Sequence, residues 1–116
     1  MLNDAVGFSE IYIVCGRIDL RYGIDGLARV LRSLGIENPA TAGTLYLFCG
    51  RRSDRIKGLV WEGDGFLLLY KKLANSSFQW PRNASEVKSL TPKQFRWLME
   101  GLTIGVKGAD ILSWTI

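Results

Sequence analysis

Three observations predict an α+β fold, a single small domain in which a mixed or mainly antiparallel sheet of about five strands packs with two helices. Two apolar runs, Ile11–Cys15 and Leu45–Cys49, flank a stretch of helical spacing. A second apolar pair surrounds an Asp-Gly turn, and a stretch with a full helix-start signature follows it. At 116 residues the chain is long enough for one core without a disulfide or metal to hold it. Its apolar and charged fractions, 47% and 22%, are those of an ordinary globular protein.

Residues 1–10 read as an irregular lead-in. Ile11-Tyr12-Ile13-Val14-Cys15 is a β-branched run ended by Gly16, which suits a buried strand. Asp19 is the expected helix N-cap, and Ile24, Leu27, Ala28, Leu31 and Leu34 recur at helical spacing, with Gly35 as the stop. Gly23 and Gly26 weaken the first turns of that helix. They allow either close approach to another backbone or loose packing. Residues 36–43 form a loop around Pro39, and Leu45-Tyr46-Leu47-Phe48-Cys49 is the second strand. Strand, helix and strand make a βαβ unit, whose strands are parallel if they share a sheet.

Residues 55–61 and 66–73 are the arms of a hairpin turned by Glu62-Gly63-Asp64-Gly65. Apolar residues on both faces of the second arm place it centrally in the sheet. Phe78-Gln79-Trp80 reads as a last short strand stopped by Pro81, and residues 82–90 as a polar connector. Thr91-Pro92-Lys93-Gln94 combines an N-cap, a proline at the first helical position and a capping-box glutamine. The helix it opens buries Phe95, Leu98, Met99 and Leu102 and ends near Gly101. Residues 1–102 make the domain, and 103–116 a C-terminal tail, a short strand or a frayed end.

The composition excludes several functions. With no histidine in the chain, Ser-His and Cys-His catalysis and histidine-ligated metals are ruled out. Two cysteines, Cys15 and Cys49, each at the end of an apolar run, suit buried reduced thiols better than a disulfide framework. No apolar run approaches the ~20 residues of a spanning helix, and residues 1–5 lack the features of a signal peptide. These readings place the chain in the cytoplasm, away from membranes.

The net charge of +4 is unevenly spread. Residues 41–82 hold seven basic and three acidic side chains, against four and five in residues 1–40. Arg51, Arg52, Arg55, Lys57, Lys71 and Lys72 interleave there with Trp61, Phe66 and Tyr70, a pattern that suits phosphate neutralisation with base stacking. A solvated hairpin face accounts for the same lysines, and a core for the same aromatics. Parallel strands would bring Cys15-Gly16-Arg17 and Cys49-Gly50-Arg51 to one sheet edge, where Arg17, Arg51, Arg52 and Arg21 converge. An antiparallel arrangement would scatter them. The acidic residues Asp19, Asp54, Glu62 and Asp64 are the remaining metal-ligand candidates. Asp-Gly in a tight turn is explained by backbone conformation, and Asp54 by pairing with its arginine neighbours. No catalytic residue, metal site or cofactor is therefore assigned.

Five ordered blocks resemble a known family: residues 15–28 (CGRIDLRYGIDGLA), residues 51–66 (RRSDRIKGLVWEGDGF), Tyr70-Lys71-Lys72-Leu73, Phe78-Gln79-Trp80-Pro81 and Leu98-Met99-Glu100-Gly101-Leu102. The chain resembles the small Orf2-like accessory protein of insertion sequence 66, a bacterial mobile element, over about residues 5–102. Tyr22 stands where that family usually has Lys, and Ile18 where Thr is common. The resemblance implies a protein that assists transposition beside a separate transposase that holds the catalytic triad. It is thus expected to be a non-catalytic accessory protein that binds DNA at the ends of the element. Contacts would come from Arg17, Arg21, Arg51, Arg52, Arg55, Lys57, Lys71 and Lys72, with Trp61 or Tyr70 packing or stacking. The alternatives are an adaptor that docks on the transposase and a small metal-dependent nuclease.

Overall fold

The computed structural model describes residue 2, residues 7–82 and residues 87–101. Seven elements follow in order: β1 (Glu10–Val14), α1 (Ile24–Ser33), β2 (Thr44–Cys49), β3 (Arg55–Trp61), β4 (Phe66–Lys72), β5 (Val87–Leu90) and α2 (Pro92–Met99). The strands form one sheet in the order β4-β3-β2-β1-β5. Among the five described strands only the β1–β2 pair is parallel; β3 runs antiparallel to β2, β4 to β3 and β5 to β1. The α+β description therefore holds, with a mixed sheet of five strands and two helices.

Strand alternation distributes the apolar side chains over two faces. On one, Leu27, Ala28 and Leu31 of α1 pack on Val14, Tyr46, Phe48 and Leu59. On the other, Phe95, Leu98 and Met99 of α2, joined by Phe78 and Trp80, cover Ile11, Ile13, Leu45, Leu47, Ile56 and Val60. Every residue of β2 is buried, as a strand sandwiched between two layers and paired on both edges requires. Tyr12 and Tyr46 are register partners across the parallel pair, and their rings stack at 5.6 Å. The Tyr12 hydroxyl donates to Glu10, which pushes its pKa up to about 12.

Four local expectations are corrected. The α1 helix starts later than Asp19 implies: its N-cap is Gly23, with no side-chain bond. Asp19 instead accepts from the Arg21 backbone N–H at 2.9 Å and organises the loop before the helix. The β4 strand lies at the sheet edge and not in its centre. Its apolar residues meet layers above and below, which says nothing about pairing on its two edges; Leu67 and Tyr70 remain 40% and 56% exposed.

Phe78-Gln79-Trp80 is not a strand but an irregular strap. Phe78 N–H donates to the Ser53 carbonyl at 2.6 Å, Gly16 N–H to the Pro81 carbonyl at 2.8 Å, and Trp80 Nε1 to the Val14 carbonyl at 2.9 Å. The fifth strand is Val87–Leu90, inside the stretch read as a polar connector. It takes the free edge of β1, with Leu90 opposite Ile11 and Val87 opposite Val14.

The remaining elements match. Gly35 follows α1 with φ 99°, the left-handed conformation that ends a helix. The hairpin arms are Arg55–Trp61 and Phe66–Lys72, paired from Trp61↔Phe66 to Arg55↔Lys72. The α2 helix has the full capping box: Gln94 N–H donates to Thr91 Oγ1 at 3.1 Å, and Thr91 N–H to Gln94 Oε1 at 2.9 Å. Cys15 and Cys49 are buried and not joined in a disulfide. The expectations for Leu102, the tail 103–116 and residues 83–86 of the connector lie outside the described residues.

Candidate functional site

Parallel pairing of β1 and β2, with Ile13 level with Leu47, brings Cys15-Gly16-Arg17 and Cys49-Gly50-Arg51 to one edge of the sheet. Gly16 turns the chain off β1 with φ 86°, a conformation most side chains resist. The chain then crosses the end of β2, where Ile18 N–H donates to the Cys49 carbonyl at 3.0 Å. Gly50 permits that crossing: a Cβ there would stand 3.0 Å from Leu20 Cγ and 3.4 Å from the Ile18 carbonyl oxygen. Both loops thus turn toward the face that α1 covers.

Between them and the β3–β4 hairpin lies a groove of about 990 Å³. Arg17, Arg21, Arg51, Arg52, Arg55 and Lys57 line it, with Asp19, Gly50 and an apolar set of Ile18, Leu20, Leu68 and Tyr70. Arg55, Lys57 and Tyr70 belong because strand register places them on the α1 face: Lys57 opposes Tyr70, and Arg55 opposes Lys72. The groove therefore gathers six cations around one carboxylate of its own lining.

Two carboxylates organise part of that charge. Asp19 binds Arg21 through both oxygens, with Nη2 to Oδ2 at 2.8 Å and Nε to Oδ1 at 3.0 Å. Those bonds and the Arg21 backbone N–H pull the Asp19 pKa down to about 2. Asp54 accepts from Arg55 Nε at 2.9 Å and lies 3.9 Å from Arg52 Nε. The Arg55 hydrogen bond holds the Asp54 carboxyl below the usual carboxylate range, and Asp54 in turn raises Arg55, with a smaller contribution from Tyr70. Lys57 Nζ donates to the Tyr22 carbonyl at 3.0 Å, fastening β3 to the chain just before α1. Arg17 and Arg51 have no acidic partner among the described residues. Both are exposed.

Of the ten residues singled out from the sequence, Arg17, Arg21, Arg51, Arg52, Arg55, Lys57 and Tyr70 meet in this groove. Lys72 neighbours Arg55 on the same face of the sheet edge. Lys71, level with Ile56, belongs to the opposite face. Trp61 sits at the far end of the hairpin, edge-on to Phe66 at 4.9 Å. Glu62 and Asp64 occupy the turn at that far end, a whole strand, or roughly 20 Å at ~3.3 Å per residue, from Asp54. Among the described residues no group of carboxylates and thiols converges to hold a metal ion.

Arg82 went unnoticed in the sequence. Its guanidinium donates to the Gly16 carbonyl and to Ser53 Oγ, each at 2.9 Å, and approaches Cys49 Sγ at 3.5 Å. It ties the back of one groove loop to the back of the other. The signal lay in its position directly after Phe78-Gln79-Trp80-Pro81. Burial pushes the Cys49 thiol up, outweighing the nearby Arg82 charge, so the thiol suits packing and not nucleophilic chemistry.

Fold and site together define a small protein with a helix on each sheet face and a cationic groove where its one parallel strand pair ends. The profile described as IS66 Orf2-like protein matches residues 9–108. The chain belongs to the IS66 Orf2-like family, a transposition-associated family of insertion sequences. It is 28% identical over 93 residues to the uncharacterized protein y4jC of Sinorhizobium fredii, covering 80% of this chain and 79% of that one. It is 29% identical over 93 residues to the uncharacterized protein y4hO of the same organism, covering 80% of each. No solved structure matches the chain. Among the described residues no helix is long and apolar enough to cross a membrane.

Proposed function

We propose that this protein assists transposition without catalysing it, by holding DNA of its element through the cationic groove. The supporting observation is the convergence of six cations on one concave surface, two of them, Arg17 and Arg51, lacking any acidic partner among the described residues. Phosphate contacts of this kind confer affinity and salt dependence but little sequence preference. The test is fluorescence anisotropy with element-end DNA, offered both as duplex and as its separated strands, across a salt series. Binding is expected at low salt, with affinity falling by roughly 10³-fold or more between about 50 and 200 mM salt if six phosphates are engaged. An Arg51→Ala, Arg52→Ala double variant is expected to flatten the log–log salt slope by about two. No binding to any form at low salt, or an unchanged slope in the double variant, overturns the reading.

The adaptor reading draws support from β4, an edge strand with Leu67 and Tyr70 exposed. Aromatic and arginine side chains are favoured anchors at protein interfaces. A complex with the transposase that survives high salt and nuclease treatment would favour it over DNA binding.

A further inference from the structure

The groove is not lined by charge alone, and its uncharged part specifies what kind of polyanion fits. Ile18, Leu20, Leu68 and Tyr70 form an apolar floor between the arginines. Among the described residues Tyr70 is the most exposed of the large apolar side chains, at 56%, although it lies on a strand beside a packed hairpin face. It stands opposite Lys57 in the strand register, and its phenol contributes to the raised Arg55 guanidinium. The ring therefore lies among cations while much of its surface faces solvent.

Such a floor has nothing to contact in a duplex, whose base faces are stacked on one another and whose grooves are read by a protruding helix or ribbon. An unpaired strand offers its base faces to aromatic side chains and its phosphates to the surrounding cations. The size of the groove agrees: about 990 Å³ is the upper end of the roughly 300–1,000 Å³ of small-ligand cavities, room for a few nucleotides. We infer that the groove takes a short single-stranded nucleic-acid segment, with one base stacked on Tyr70 and the adjoining phosphates on Arg17 and Arg51. Arg55 is engaged by Asp54 at 2.9 Å, while Arg17 and Arg51, without an acidic partner among the described residues, neutralise the backbone.

This inference rests on the phosphate-binding reading above, and the experiment separates the two. Anisotropy titrations compare a single DNA strand of about a dozen nucleotides, the RNA of the same sequence and the corresponding duplex at one moderate salt concentration. Tyr70→Ala and Tyr70→Phe are measured beside the parent protein. The single strands are expected to bind about tenfold more tightly than the duplex, and Tyr70→Ala to lose about tenfold on them with no change on the duplex. Tyr70→Phe keeps the ring and is expected to keep the affinity. Because Tyr70 is exposed, thermal melting of both variants should follow that of the parent. Equal affinity of strand and duplex, or an equal loss on both in Tyr70→Ala, overturns the inference and leaves the arginine reading standing. Absence of all binding overturns both. The RNA arm assigns the sugar: parity with DNA means the backbone and base face suffice, and in that case the site reads strandedness alone.

Discussion

The Arg82 guanidinium reaches acceptors from both groove loops, the Gly16 carbonyl and Ser53 Oγ at 2.9 Å and the Cys49 sulfur at 3.5 Å, without lining the groove itself. Gly16 is buried, so its carbonyl has little access to water as a substitute partner. Hydrogen bonds from a charged donor contribute about 1.5–3 kcal/mol each when one partner is buried. Arg82→Met keeps the apolar stem and removes the head; it is expected to lower unfolding stability by about 2–4 kcal/mol in a urea titration. Faster amide exchange at Gly16 and Ile18, with β1 itself unchanged, would locate the damage in the loop. A loss below about 0.5 kcal/mol would mean the three contacts are incidental. The sequence offered little warning of this role, because a lone arginine after a proline has the look of surface. What distinguishes Arg82 is contact with residues 66 and 29 positions away.

At the scale of elements, α1 shows how a glycine's meaning depends on its neighbour. A Cβ at Gly26 would stand 2.9 Å from both Cβ and Cγ of Tyr22 and 3.1 Å from its Cδ1. Those are the near atoms of the side chain, held by a residue whose carbonyl also accepts the Lys57 bond. Gly26→Ala gains about 1 kcal/mol of helix propensity but incurs overpacking of about 1–3 kcal/mol. We expect a net loss of about 1 kcal/mol in chemical denaturation. Tyr22→Ala removes two of the three contacts, so a double-mutant cycle should show coupling of at least about 0.5 kcal/mol. A stabilised Gly26→Ala protein would refute the clash. Close approach was one of two readings of this glycine, and the neighbour is a side chain and not a backbone.

The strap and β5 show the opposite failing of local pattern. Phe78-Gln79-Trp80 alternates like a strand, yet its hydrogen bonds go to loop ends, and Pro81 has no N–H to continue a ladder. Val87–Leu90 has only its two end residues apolar, yet it pairs because β1 had an edge to fill. Edge pairing is a property of the partner strand, which a window of sequence does not contain.

For the molecule as a whole, the net charge of +4 matters less than where the charge lies. Arg29 and Arg32 are exposed on α1, outside the groove. If affinity came from overall charge, Arg29→Ala with Arg32→Ala would weaken DNA binding as much as the Arg51, Arg52 pair. Each phosphate contact adds about 0.9 to the salt slope. The α1 double variant is therefore expected to shift the slope by less than that amount in the same anisotropy series. An equal effect from the two pairs would show that the groove is not the binding surface.

What the sequence determined by itself was local and periodic: the two Cys-Gly-Arg strand ends, the amphipathic helix between them, the Asp-Gly hairpin and the capping box of α2. The lack of histidine was equally plain there. These features are legible because strand and helix periods and turn chemistry act over a few neighbouring residues. The tertiary structure decided the rest. Parallel register brought seven of the candidate residues into one groove, while the two-residue period of β4 sent Lys71 to the opposite face, and the length of β3 set Trp61 at the far end. Sheet order placed β4 at the edge and left Tyr70 facing solvent. Those outcomes depend on which distant segments fill which edge and face, and that is settled by burial across the whole core.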